Sequence, residues 1–361
     1  MKILYLAPIA FDGLKQRPQH IAEELSKNNE VWYIDPTISF MKYLIKGGEK
    51  CFSRKYDVSN NLHIIRLNGV LSPHISVQGI DHYNFTLFPE FSQIKGYVKK
   101  VDIIWVAYSG WYGLIKWVRN KIIIYDKMDD DINLTKNKLL RKYLLRIEPK
   151  LIRKADYIFV TAIKFYNEIS AITDNVSLVP NAVSIEKKYI EYNGHDIKKR
   201  VFGYIGTIGH WFDIEAIRTI AEADENCEVI LVGPNMLPEL HISNVKYVNT
   251  ISKEKIFDMI STFDVCLYTF KQDILLDTIN PVKIYEYLAM NKPVLAVKSL
   301  EIDSFGTLLE TYENYSELSS KCKKTFKKPF KTEKDYINFI NANSWEIRVK
   351  HMLEKIEVDL Y

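Results

Sequence analysis

A chain of 361 residues, 47% hydrophobic and 26% charged, exceeds one ordinary core and suits two soluble globular domains. A net charge of +4 is too small to argue for nucleic acid, and no such partner is expected. Cys51, Cys227, Cys266 and Cys322 lie far apart without paired spacing, which argues against a zinc site or a disulfide framework and fits a reducing cytoplasm.

Residues 1–7 of MKILYLAPIAFDG read as a buried strand, because the apolar run is too short for a signal peptide. No stretch approaches the roughly 20 apolar residues of a membrane span. A loop and a helix over 18–27, apolar at Ile21, Ala22 and Leu25, lead to a second strand at 30–34. That order opens a doubly wound parallel sheet, whose ligands sit at the C-terminal strand ends. The loop FDGLKQRPQH (11–20) then projects Gly13, Arg17 and His20 toward a cleft. His20 is placed to bond a hydroxyl or a phosphate, or is a plain helix-surface histidine.

Residues 40–56 alternate Lys42, Lys46, Lys50, Arg54 and Lys55 with Phe40, Tyr43, Leu44 and Phe52. Such a stretch suits an anionic bilayer surface, although Gly47 and Gly48 interrupt any helix; a solvated flap is the alternative. Strands are expected at 62–67, 103–107, 121–125, 157–161 and near 177–179. Aromatic residues over 83–91 and 105–117 line a ligand groove or belong to the core. IIIYDKMDDDINL (122–134) crowds Asp126, Asp129, Asp130 and Asp131 at a strand end. Carboxylates that close repel, which raises the pKa of at least one. The competing reading is a helix N-cap with first-turn acids.

The polar stretch 184–199 reads as a linker, after which the pattern restarts. Strands are expected at 200–205, 228–232, 245–247, 265–268 and 294–297, and a helix at 214–223. The loop after the first of these strands carries Gly203, Gly206, Thr207 and Gly209, whose spacing departs from the dinucleotide fingerprint. His210 and Trp211 follow; Gly233 and the pair Thr250 and Ile251 end later strands. The most telling segment is DTINPVKIYEYLAMNKPVLA (277–296). A turn at Asn280 and Pro281 starts a helix, with Pro281 as its first residue. Lys283 and Glu286 share one face of it. Free amides and a partial positive charge at a helix start suit a phosphate; Lys283 adds a full charge, and Glu286 can accept from two sugar hydroxyls. The plain alternative is a capped helix with a surface ion pair. Residues 344–356 form an amphipathic helix with Trp345, Met352 and Ile356 on its apolar side.

Segment 277–296 resembles the donor-site motif of retaining bacterial glycosyltransferases of the GT-B fold, the family that builds polysaccharides and glycolipids. The resemblance implies an α/β chain of two doubly wound Rossmann-like domains with a cleft between them: 1–183 for the acceptor, 200–343 for the nucleotide sugar, and a final helix (344–361) packing back on the first. It implies that Lys283 contacts the diphosphate and Glu286 the ribose, with Asn280 and Pro281 at the helix start. Gly206 and Thr207 lie opposite the diphosphate, and Thr250 and Ile251 meet the base. Thr278 stands where the family often has a sugar-contacting glutamate. Asn181 resembles the Pro-Asn-Gly turn between domains, with Ala182 replacing the glycine. Asp129 in Tyr-Asp-Lys-Met-Asp resembles the catalytic segment of a membrane-associated glucuronosyltransferase of this fold; Asp130 and His20 are the other catalytic candidates. The implied enzyme is metal-independent, has no cofactor beyond its donor, and uses a glycan or lipid-linked acceptor in surface polysaccharide or capsule synthesis. It is expected in the cytoplasm, peripheral on the inner face of the membrane through 40–56. A nucleotide-sugar epimerase of the same fold and a non-catalytic subunit stay open.

Overall fold

The structure, a computed structural model, describes residues 1–12, 15–39, 54–69, 87–183, 199–224, 226–273 and 275–358. The chain divides into two compact units, Met1–Pro180 with Arg348–Tyr361, and Asn181–Ile347.

In the first unit the strands are β1 (Lys2–Leu6), β2 (Glu30–Ser39), β3 (Arg54–Ser59), β4 (Leu62–Gly69), β5 (Ile103–Val106), β6 (Ile122–Lys127), β7 (Tyr157–Val160) and β8 (Val176–Leu178). They lie in the order β3-β4-β2-β1-β5-β6-β7-β8. Every pair is parallel except β3 with β4. Helices α1 (Arg17–Ser26), α2 (Phe88–Lys100), α3 (Tyr112–Ile115), α4 (Asp131–Leu134), α5 (Lys138–Lys154) and α6 (Ile163–Ser170) connect them. Residues of β5 and β7 such as Ile103, Trp105 and Phe159 are buried, as expected of parallel strands covered on both faces. β2 runs past the expected 34, and its register with β4 shifts between Asp35 and Ile38, where Pro36 cannot donate to the ladder. The Gln19 side chain accepts from the Gln16 amide (3.0 Å) and fixes the start of α1.

β3 takes in the end of the stretch 40–56. Arg54, Lys55 and Tyr56 are strand residues paired with β4, and the Lys55 ammonium bonds the Tyr97 hydroxyl at 2.6 Å. The remainder, 40–53, lies outside the described residues, as do Gly13 and 83–86. Of the aromatic residues over 105–117, Trp105, Tyr108 and Trp111 are core, whereas Trp117 is exposed.

The second unit holds β9 (Arg200–Ile205), α7 (Ile214–Ala223), β10 (Cys227–Val232), β11 (Val245–Val248), α8 (Ile256–Ser261), β12 (Val265–Tyr268), α9 (Val282–Ala289), β13 (Val294–Val297), α10 (Leu300–Asp303), β14 (Glu310–Tyr312), α11 (Tyr315–Cys322) and α12 (Glu333–Ala342). The strand order β11-β10-β9-β12-β13-β14, all parallel, is that of a dinucleotide-fold sheet, with its switch point between β9 and β12. Asp213 caps α7 by accepting from the Glu215 and Ala216 amides. Cys227, Cys266 and Cys322 are free and buried in this unit; burial pushes all three thiols up, that of Cys322 to about 12. Helix α13 (Trp345–Val358) begins in the second unit and belongs to the first from Arg348 onward. It buries Trp345, Val349, Met352 and Ile356. Among the described residues no helix is long and apolar enough to cross a membrane.

Candidate functional site

The candidate residues of the second unit gather at the C-terminal edge of its sheet. Gly206 and Thr207 follow β9, Thr250 and Ile251 follow β11, and the loop after β12 leads through Asn280 and Pro281 into α9. Two of these loops flank the switch point and are laced together. The Asp213 amide donates to the Thr269 carbonyl (2.9 Å), and the Lys271 amide to that of Trp211 (2.8 Å). The Tyr287 hydroxyl accepts from the Ile205 amide (3.1 Å), which pins α9 against the start of the glycine loop. Gly233 lets that loop cross closely: a Cβ there would lie 2.3 Å from the Gly206 carbonyl oxygen, and its φ of +133° disfavours a side chain.

Pro281 is the residue before α9 rather than its first residue, with ψ of 92°, and this corrects the expected start. The Ile284 amide closes on the Pro281 carbonyl (3.1 Å), so the amides of Val282 and Lys283 precede the first closed turn. Lys283 Nζ lies 3.1 Å from Glu286 Oε2; both side chains are part-exposed at the helix start. Asn280 has a framework role. Its Oδ1 accepts from the Asn181 amide (2.8 Å), its carbonyl from Asn181 Nδ2 (3.0 Å), and its Nδ2 donates to buried Glu301 (3.0 Å). Only its backbone position shapes the helix start. Thr278 is buried and its hydroxyl donates to the Leu275 carbonyl (2.7 Å). The Gly206 amide is already bonded to the Val232 carbonyl (2.9 Å), and the Thr207 carbonyl accepts from Tyr204 (3.1 Å). His210 is exposed, with its ring against that of Trp211. Sequence reasoning missed Tyr287, Glu301 and the buried Thr269, whose hydroxyl has no partner among the described residues. Their roles depend on contacts across the fold and leave no local pattern.

In the first unit the acids follow β6. Asp126 is fully buried and receives a two-pronged bond from Arg17 (2.9–3.2 Å), which also donates to the Val179 carbonyl (2.9 Å). Arg17 is therefore an internal clamp, and its expected projection into a cleft is corrected. Asp130 caps α4, with Oδ1 accepting from the Asn133 amide (3.1 Å) and Oδ2 from its side chain (2.6 Å). Its carboxylate is thus occupied in the manner of the plain N-cap reading. Lys127 Nζ meets Glu148 at 2.7 Å and lies 4.3 Å from the Phe165 ring centroid.

Asp129 is open to solvent, yet the protein packed about it strips hydration and pushes its carboxyl up; Lys127 and Arg17 oppose this, while Asp130 and Asp126 add to it. Water that reaches the group screens part of that penalty. Half-buried Asp131 moves furthest, to about 8, through burial against the pull of Lys127 and with help from Asp129, Glu148 and Asp130. His20 sits half-buried on α1, after β1. A groove of about 620 Å³ runs between β8 and α13, lined by Tyr157, Ser177, Arg348 and His351 among others; it contains none of the candidate residues.

No family model matches the sequence, and no curated protein sequence matches it. Solved structures resemble the chain over its whole length. Sucrose-phosphate synthase from Thermosynechococcus elongatus aligns with a TM-score of 0.70 at 13% identity, covering 99% of both chains. The lipopolysaccharide outer core galactosyltransferase WaaB, in its apo form, aligns at 0.67 and 14% identity over 99% of this chain and 100% of that one. Anabaena HepE in complex with UDP aligns at 0.65 and 11% identity, with 99% and 100% covered. At such identities the likeness speaks to architecture, and the chain has the GT-B fold of two doubly wound α/β domains.

Proposed function

We propose that this protein is a metal-independent retaining glycosyltransferase that moves a hexosyl group from a nucleotide diphosphate sugar to a glycan or lipid-linked acceptor in bacterial surface polysaccharide synthesis, working at the inner face of the membrane. The observation that carries the reading is the start of α9, where Lys283 and Glu286 stand side by side next to the switch point of the second sheet. That two structural neighbours are a galactosyltransferase and a UDP complex supports the same reading.

In this reading the second unit holds the donor. The Lys283 ammonium turns to the diphosphate and, with the amides of Val282 and Lys283, stabilises the charge that develops on the leaving nucleoside diphosphate. Glu286 then accepts from the ribose hydroxyls, and Thr250 and Ile251 border the base. The first unit holds the acceptor. Asp129, open to solvent and with its proton affinity raised, positions the acceptor hydroxyl and takes its proton, with His20 as the second polar group of that edge. Retention rests on the resemblance of 277–296 to retaining enzymes.

Calorimetry with UDP, GDP and dTDP, followed by incubation with labelled nucleotide sugars and a lipid extract, tests the proposal. Binding of one nucleotide and transfer to lipid support it. Epimer formation, binding without turnover, or no nucleotide binding each removes it.

A further inference from the structure

Helix α5 has two unlike faces. Leu140, Tyr143, Leu144, Ile147, Leu151 and Ile152 are buried. On the opposite side Lys138, Lys142, Leu145, Pro149 and Arg153 recur at spacings of four, three, four and four, so they form one line along the helix, and all are exposed. Arg141 and Lys150 flank that line. The helix contains one acid, Glu148, and it is buried against Lys127. Among the described residues no carboxylate pairs with Lys138, Lys142, Lys150 or Arg153. A helix face that serves solubility alone commonly mixes both signs; this face has one sign.

Apolar side chains stand among the cations. Leu145 is 54% exposed and Leu139 45%. At the C-terminal end of α5, Lys154 Nζ donates to the Val118 carbonyl (2.8 Å) and holds the adjoining loop beside the helix. On that loop Trp117 is 77% exposed, with the Lys116 ammonium 5.2 Å from its ring centroid.

We propose that this face of α5, together with Trp117, docks the protein on an anionic bilayer. The ammonium and guanidinium heads reach lipid phosphates, their stems lie along the interface, and Leu139, Leu145 and Trp117 enter the headgroup boundary. Charge complementarity alone would also suit a nucleic acid, but a duplex backbone offers the exposed leucines and indole no apolar counterpart. The surface shares no residue with the donor candidates or with the stretch 40–56.

The full chain is sedimented with phosphatidylcholine vesicles containing about 30% phosphatidylglycerol and with pure phosphatidylcholine vesicles. Binding to the first, weak binding to the second and release by high salt are expected. A Lys142→Glu/Lys150→Glu/Arg153→Glu variant should partition at least about tenfold less, with its circular dichroism melt and nucleotide affinity unchanged. Leu145→Ala should weaken partitioning about threefold at constant charge. Undiminished vesicle binding by the triple variant, or a parent chain that ignores anionic vesicles, overturns the proposal. So does duplex DNA binding as tight as vesicle binding and indifferent to Leu145→Ala. A chain that binds vesicles but no nucleotide defeats the glycosyltransferase reading and leaves this one standing.

Discussion

Lys283 and Glu286, 3.1 Å apart, can form a simple surface pair, and only ligand binding separates that role from a grip on a diphosphate. Replacing Lys283 by Ala should weaken nucleotide binding by about 1.5–3 kcal/mol, the usual worth of a hydrogen bond to a charged group. Calorimetry reads this directly, and an unchanged Kd would remove Lys283 from the site. Asp129→Asn should abolish transfer and leave donor affinity intact; full activity would shift the proton acceptor elsewhere. Asp131 gives a stability signature. Its native carboxyl titrates at about 8 against an ordinary value of 3.8, so between those values the native state keeps a proton that the unfolded chain has lost. Stability from this group therefore falls as pH rises through that window. The melting temperature of Asp131→Asn should drop less than the parent's between about pH 5 and about pH 9. The crowding of acids at 126–131 was legible in the sequence. Which acid does what was not, because Arg17 reaches Asp126 across 109 residues and Glu148 comes from α5.

At the scale of elements, the glycine loop depends on close packing between strand ends. Gly233→Ala would drive a methyl toward the Gly206 carbonyl oxygen at 2.3 Å, from a backbone with φ of +133°. A loss of about 1–3 kcal/mol in stability is expected, together with weaker nucleotide binding, because the shift moves Gly206. Thermal melts and calorimetry on the same sample measure both; a variant that melts and binds like the parent would show that the loop adapts. Apolar runs bounded by turn residues made most strands readable, and β9, α7, β12 and β13 match their expected spans. β3 and β14 escaped, since one is a charged edge strand and the other is three residues long at the far edge. The start of α9 slipped by one residue because proline's fixed φ fits both the residue before a helix and the first residue within it.

For the whole molecule, the restart of the strand–loop–helix order at Arg200 announced a second doubly wound unit. Periodicity showed that the last helix is amphipathic, but not which surface receives it, since an apolar stripe names no partner. Each unit encloses its own hydrophobic cluster. Cys227, Cys266 and Cys322 all lie inside the second, with thiols held in the unreactive protonated form. In a Cys51→Ser chain they are a built-in stopwatch, because a thiol-specific dye can label them only when that half opens. Nucleotide at a hundred times its Kd should stabilise the closed form by about 2.7 kcal/mol and slow labelling about a hundredfold. Labelling that ignores nucleotide would mean that the ligand sits elsewhere. The chain thus reports on its own donor half by the rate at which it takes up colour, without a radioactive sugar or a known acceptor.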